Sequence, residues 1–208
     1  AEVEKAFGLW AAGNGFRAPK HIPPGEGMRR VEQVRDKEQA VAVLGYRGCS
    51  FFDEDRYALE LIGEACSDLG SRLFLRIREE LGLAYYVGAQ SHPGFTQGHF
   101  SFYAGTSPKQ LEQVEKELLA EAAKLRQDGL TDDELRRAKA KIIGQKKISR
   151  QDLGGLATMS GLDELYGLGY ESSEKDDEKY ESITKQQIEV AAQKYLRPGQ
   201  CVMAVTHP

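Results

Sequence analysis

The hydrophobic pattern of this sequence places its predicted strands in adjacent pairs instead of alternating them with helices. Strands are predicted at 29–35 and 38–46, and strands at 84–91 and 98–104 form a predicted hairpin around a His-Pro-Gly turn. Strands that follow each other without a helical crossover favour antiparallel pairing. The run at 40–44 is apolar at every position, which predicts a strand covered on both faces. We expect an α+β fold, with a mostly antiparallel sheet and helices packed on one face.

Helical spacing and capping residues predict the remaining elements. Asp53 and Asp55 are N-cap candidates for a first helix. Ser71 is expected to cap a second helix over 72–80, and Gly82 is expected to end it. Later helices, two of them opened by capping boxes, and a last strand are predicted at 108–127, 131–148, 150–170, 184–195 and 201–205. The predicted order is β-β-α-α-β-β-α-α-α-α-β.

The first residues differ in composition from the rest of the chain. Val3, Phe7 and Trp10 fall at helical spacing, and residues 13–27 are rich in glycine and proline. We interpret 1–27 as the tail helix of a preceding domain plus a Gly/Pro linker, and 28–208 as the main domain. A sequence that begins inside a helical pattern is expected to be part of a longer chain.

Charge and composition exclude several classes of protein. The chain has 28 basic and 32 acidic residues, a net charge of −4 with both signs interspersed, which argues against a nucleic-acid binder. Its longest apolar run is too short to span a membrane. These features are typical of a soluble globular protein, and they leave the compartment open between cytoplasm and, in a bacterium, periplasm.

Candidate metal ligands and nucleophiles are scattered. The histidines show neither HExxH nor HxxEH spacing: His21, His92, His99 and His207. Three isolated cysteines, Cys49, Cys66 and Cys201, suit neither a disulfide framework nor a paired metal site, and buried structural thiols are the expected reading. No nucleophile elbow or phosphate loop occurs. We therefore expect no metal and no cofactor to be held by this chain alone.

The segment 76–87, RIREELGLAYYV, admits two interpretations. In the first it is only a helix end, a glycine cap and a strand start, with Arg78 favoured by the helix dipole. In the second the turn brings Arg78 close to Tyr85. A guanidinium and a phenol hydroxyl together suit a peptide carbonyl or the oxyanion it becomes. The residues alone leave both interpretations open.

Together with its surroundings, this segment resembles the pitrilysin (insulinase) family of zinc metallopeptidases, which includes the mitochondrial processing peptidases. The resemblance is to the family's second, non-zinc type of domain and covers nearly the whole chain. Its motifs occur in family order: DEDRYALELIGEACSDLGSRLF, REELGLAYYV, FSFYAGTSPKQLEQV and GLTDDELRRAKAKIIG.

The resemblance implies a function for the pair. In the family, an HxxEH-bearing domain holds zinc, and a separate domain supplies an Arg and a Tyr seven residues later, which match Arg78 and Tyr85 here. Arg78 would bind the peptide, and Tyr85 would donate a hydrogen bond to the scissile carbonyl oxygen. The implied partners are a zinc domain, in the same polypeptide or a separate subunit, and a peptide or unfolded polypeptide substrate. This chain alone is expected to be inactive.

An alternative within the same family is a non-catalytic structural or assembly subunit, as in the core proteins of the respiratory cytochrome bc complex. The presence of both Arg78 and Tyr85 favours the peptidase interpretation.

Overall fold

The computed structural model describes residues 2–11, 13 and 25–208. The first helix, α1, spans Glu2–Phe7 and ends earlier than the apolar spacing up to Trp10 suggested. Most of the predicted linker, His21 included, lies outside the described residues. The origin of α1 in a preceding domain stays a prediction.

A five-stranded mixed sheet forms the centre of the described chain, in the order β1-β5-β2-β4-β3. Its strands are β1 Arg29–Val34, β2 Ala40–Arg47, β3 Ala84–His92, β4 His99–Thr106 and β5 Cys201–His207. The pair β1–β5 is parallel, and the other three pairs are antiparallel. The parallel pair joins the first and last strands, with the helices between them as the long connection that such pairing needs. The structure thus confirms an α+β fold with a mostly antiparallel sheet.

The two faces of the sheet differ in burial. Ala42 and Leu44 of β2 and Phe102 of β4 are fully buried on the face that the helices cover. The intervening Val41 and Val43 are only partly buried, so the expectation of two covered faces was wrong. We call this second side the open face; it is formed by alternate residues of each strand, which in β2 are Val41, Val43, Gly45 and Arg47.

Six helices follow α1: α2 Asp55–Ala65, α3 Leu111–Asp128, α4 Asp132–Ser149, α5 Leu153–Leu165, α6 Ser172–Ser182 and α7 Lys185–Tyr195. Helix α3 begins with a 3₁₀ turn, Pro108–Gln110. The capping boxes at Thr131 and Thr184 are confirmed. Helix α6 was not predicted, because its polar sequence carries no hydrophobic stripe. No helix in the described part of the chain is long and apolar enough to cross a membrane.

The N-cap prediction for α2 was wrong. Asp55 is the first residue of the helix, and the N-cap residue, Glu54, makes no side-chain capping bond. The Asp53 carboxylate instead accepts hydrogen bonds from the backbone N–H and the hydroxyl of Ser50, at 2.7 and 2.8 Å. Asp53 therefore closes the turn before the helix and does not cap the helix itself.

Helix α2 lies against the outer edge of β3. A Cβ added at Gly63 would lie 3.4 Å from the backbone nitrogen of Ser91, an ordinary van der Waals distance, so the helix backbone packs directly against the strand backbone here. Just beyond the helix, the Ser67 hydroxyl accepts a hydrogen bond from the Ala89 N–H at 3.0 Å and donates one to the Ala89 carbonyl at 2.5 Å. Both outward backbone groups of Ala89 are thus satisfied, which closes the edge at this point.

We expect Ser67→Ala to lower the free energy of unfolding by about 1–3 kcal/mol, because it leaves the Ala89 N–H and carbonyl without partners. Urea denaturation of the chain measures this. The control is Ser182→Ala, whose exposed hydroxyl donates only to the carbonyl of Lys179; it should change stability by no more than about 0.5 kcal/mol. Equal effects of the two changes would contradict the role given to Ser67.

Candidate functional site

The segment that carries Arg78 and precedes Tyr85 is a π-helix, Phe74–Glu80, and not the α-helix that the sequence predicted. The Leu81 N–H donates to the carbonyl of Arg76 at 3.2 Å, the i to i−5 spacing that defines such a helix. Ser71 caps the segment as predicted, since its hydroxyl accepts from the Phe74 N–H at 3.2 Å. Wide turns of this kind are rare and recur at functional sites.

The π-helix ends at Gly82, as predicted. Gly82 has a φ of +62°, in the left-handed region that glycine adopts without cost, and its N–H donates to the Arg78 carbonyl at 3.1 Å. The next N–H, that of Leu83, donates to the Ile77 carbonyl at 2.9 Å. Leu83 is buried, so the turn is fixed on the core side while its other side faces solvent.

Tyr85 is the extra residue of a β-bulge. Ala84 pairs with Thr106 and Tyr86 with Gly105, so Tyr85 has no partner on β4. Regular alternation would bury one of two consecutive residues, yet Tyr85 is 56% exposed and Tyr86 43%. Bulges re-aim side chains in this way. The tyrosine doublet, which breaks the alternation, is the sequence signal that could have revealed the bulge.

Arg78 is exposed on the last turn of the π-helix. Its guanidinium carbon lies 4.9 Å from the centre of the Phe74 ring, a cation–π contact. Within the described residues, neither the Arg78 guanidinium nor the Tyr85 hydroxyl has a hydrogen-bond partner. Arg76, two residues earlier, is by contrast bound to Glu80 and Glu117. The structure brings Arg78 and Tyr85 to one turn, both exposed, with no bond between them.

An ion pair fixes the start of this segment to α4. The Arg72 Nε donates to Glu134 at 2.8 Å, and its Nη2 donates to the Gly129 carbonyl at 3.2 Å. Glu134 also completes the capping box with Thr131. Burial alone would raise the pKa of the Glu134 carboxyl, but the hydrogen bonds from Arg72 and Thr131 outweigh it and lower that pKa. The sequence predicted the capping box of Thr131 and Glu134 but not the ion pair of Glu134 with Arg72.

Two tyrosine rings cover glycines on the open face beside the bulge. A Cβ added at Gly105 would overlap the ring of Tyr86, and one at Gly88 would lie 2.6 Å from the Tyr103 hydroxyl. The two ring centres are 6.3 Å apart. Both rings therefore lie flat across the neighbouring strand, which gives this end of the open face an uncharged aromatic surface.

The described residues contain no group of three or more His, Cys, Asp or Glu side chains arranged to hold a metal ion. His92 and His99 are cross-strand partners whose rings are 4.8 Å apart, and burial, with a smaller contribution from His92, lowers the pKa of His99. Burial also raises the pKa of Cys66 to about 12, which opposes thiolate chemistry there. All three cysteines are buried and free, as the sequence suggested.

Comparison with known proteins identifies the family of this chain. Residues 1–142 match the family model described as the peptidase M16 inactive domain. The chain belongs to the peptidase M16 family. This confirms the resemblance to the pitrilysin-type zinc metallopeptidases that the sequence motifs suggested, and to their non-zinc type of domain.

Relatives of this M16 domain agree with the assignment. An uncharacterized zinc protease of Streptomyces coelicolor is 37% identical over 138 residues, which are 65% of this chain and 30% of that protein. The fold matches a protease from Helicobacter pylori (TM-score 0.84, 19% identity, 99% of this chain and 51% of that one). It also matches the peptidase M16 inactive domain from Pseudomonas fluorescens (0.80, 23%, 94% and 47%). The chain thus spans about half or less of these proteins.

We expect Gly82→Ala to destabilise the chain by about 1 kcal/mol, because a Cβ disfavours the left-handed conformation at the end of the π-helix. Gly82→Asn should cost less. The control, Gly144→Ala in the middle of α4, has no atom within 4 Å of the added Cβ and should be stabilising by about 0.5–1 kcal/mol. Thermal or urea unfolding compares the three; an unchanged stability of Gly82→Ala would contradict the role of the turn.

We expect Glu134→Gln to destabilise the chain by about 2 kcal/mol at pH 7, where the wild-type carboxylate is fully ionised. Because the pKa of Glu134 is lowered by folding, its contribution is lost as the pH falls through that lowered value. The difference between wild type and variant should therefore shrink below about pH 4. Urea denaturation across pH measures it, with the exposed Glu79→Gln as control. A difference independent of pH would contradict this account.

Proposed function

We propose that this M16 domain is a substrate-binding domain that supplies Arg78 and Tyr85 to a peptidase active site completed by a zinc-bearing partner domain. The observation that carries the proposal is the turn at Gly82. It presents a charged donor and a phenol hydroxyl together at the surface, both without partners among the described residues.

The chemistry assigned to each group follows from its donors. A guanidinium holds fixed N–H groups that suit peptide carbonyl oxygens, so Arg78 binds and orients the peptide backbone. The Tyr85 hydroxyl donates to the scissile carbonyl oxygen and binds it more strongly as negative charge develops there. The bulge matters because it directs Tyr85 outward from a strand whose position the sheet fixes.

The zinc and the general base are assigned to the partner. The described residues of this chain do not fit a zinc site, since no group of ligands converges in them. An HxxEH-bearing domain, in the same polypeptide or in a separate subunit, therefore provides both. This division agrees with the description of the matched family model as an inactive domain.

The closed edge of β3 bears on how a peptide reaches Tyr85. Peptides often bind by adding a strand to a sheet edge. Ser67 already occupies the outward groups of Ala89, so β3 offers no continuous edge beside the bulge. We therefore propose that the backbone of the peptide pairs with a strand of the partner domain. The side chains of the peptide then contact the open face of this domain.

We expect Tyr85→Phe, made in the complete zinc protease, to lower kcat by about 100- to 1000-fold while KM changes little, because the lost hydrogen bond is strongest in the transition state. The matched control is Tyr86→Phe, which removes a hydroxyl from the adjacent exposed tyrosine. Steady-state peptide hydrolysis measures both, and the control should keep near wild-type turnover.

Two outcomes would contradict the proposal. Wild-type turnover in Tyr85→Phe would remove Tyr85 from the chemistry. If the complete protein, loaded with zinc, hydrolysed no peptide at all, the alternative of a structural or assembly subunit would replace the peptidase interpretation.

A further inference from the structure

A cavity of about 460 Å³ lies at the end of the open face away from Tyr85. Its floor includes Gly45 of the central strand β2 and Val202 of β5, and Arg29, Arg47 and His99 lie around it. Gly45 leaves room here, since a Cβ at this position would make only an ordinary contact, 3.8 Å from the Val202 carbonyl oxygen.

The strand register explains why Arg29, Arg47 and His99 lie on the same face of the sheet. Arg47 pairs with His99 across β2 and β4, and Arg29 pairs with Val202 across β1 and β5. Arg30, next to Arg29, points to the helix side, where it binds Glu115. Alternation therefore leaves Arg29 on the open face.

The charge of the cavity is net positive. Arg29 and Arg47 each carry one positive charge, and Glu26 is the one carboxylate among the described lining residues. The Arg47 guanidinium is held by the Gln97 side chain, at 2.9 Å. Arg29 has no partner among the described residues. The cavity thus combines an apolar floor with a guanidinium that has no carboxylate of its own.

The cavity and Tyr86, the neighbour of Tyr85 in the bulge, lie on the open face of the sheet, at opposite ends. Along β3, Tyr86 and His92 face the same side and are six residues apart, which corresponds to roughly 20 Å of extended strand. Arg47 lies two strands and Arg29 four strands across the sheet from β3. A peptide with its scissile bond at Tyr85 therefore runs diagonally and reaches these arginines after roughly seven to nine residues. Between the two ends the face carries small, uncharged or apolar side chains such as Val43 and Ala204.

We propose that this cavity binds a carboxylate of the peptide substrate, with Arg29 and Arg47 as its donors. The carboxylate is either an acidic side chain or the C-terminal carboxylate of the peptide, and guanidinium groups suit both. The proposal rests on the proposed function, because it takes the open face as the surface along which the substrate lies. It adds a preference for acidic over neutral or basic residues about seven to nine positions from the cleaved bond.

The test is direct binding of peptides to this chain. The probes are four unstructured ten-residue peptides of Ala, Ser and Gly, with either Glu or Gln at one central position and with either a free or an amidated C-terminus. NMR titration of the chain gives each Kd. We expect the Glu peptides, the free-acid peptides, or both to bind about three- to tenfold more tightly than the amidated Gln peptide, and to shift the Arg29 side-chain and His99 ring signals.

Three variants locate the binding. Arg29→Gln should abolish the preference for the carboxylate. Its matched control, Arg35→Gln, changes an exposed arginine beyond the other end of β1, away from the cavity, and should keep the preference. Gly45→Val fills the floor of the cavity and should weaken binding of every carboxylate peptide. Far-ultraviolet circular dichroism confirms that each variant is folded.

The proposal is overturned if the four peptides bind equally, if none binds, or if Arg35→Gln has the same effect as Arg29→Gln. These results are independent of Tyr85, because no bond is cleaved. A carboxylate preference together with wild-type turnover of Tyr85→Phe would leave this cavity standing and remove the proposed catalytic role. If no peptide shows a carboxylate preference and Tyr85→Phe lowers turnover, only the proposal for the cavity is overturned.

Discussion

The contact of α2 with the outer edge of β3 determines how the rest of the site is placed. Gly63 packs against the backbone of β3, and the Ser67 hydroxyl satisfies both outward groups of Ala89. This contact closes one edge of the sheet and fixes where the chain leaves α2. The π-helix and the Gly82 turn form the short connection between α2 and β3, so this contact holds both ends of that connection in place.

Charge pairing distinguishes Arg78 from the two other arginines in and just before the π-helix. Arg72 is bound by Glu134, and Arg76 by Glu80 and Glu117, which holds the segment against α4 and α3. Arg78 lies on the same segment, and its one partner among the residues that the structure describes is the Phe74 ring. Unlike Arg72 and Arg76, Arg78 has no carboxylate partner among the described residues, so it adds little to stability. Its N–H donors remain available to a peptide carbonyl.

The sequence predicted most of the fold because its elements carry local signals. A continuous apolar run predicted β2, alternation predicted β4, and capping boxes predicted the starts of α4 and α7. The π-helix could not be predicted, since its apolar spacing also suits an α-helix. For the candidate site, the sequence predicted the turn at Gly82, and it proposed Arg78 and Tyr85 as the residues that the turn presents. It did not show the bulge, which depends on the register of β3 against β4.

Helix α6 shows why polar segments escape such prediction. Its Asp176 accepts from Tyr57 of α2 at 2.9 Å and pairs with Lys146 of α4 at 3.0 Å. Its Tyr180 is hydrogen-bonded to Glu60 of α2, whose pKa is raised chiefly by burial. Tyr57, Lys146 and Glu60 are distant from α6 in sequence, so no periodic pattern in the sequence of α6 predicts these contacts. Because this network pairs its charges within the domain, it supports α2, and through α2 the edge of β3 that α2 covers.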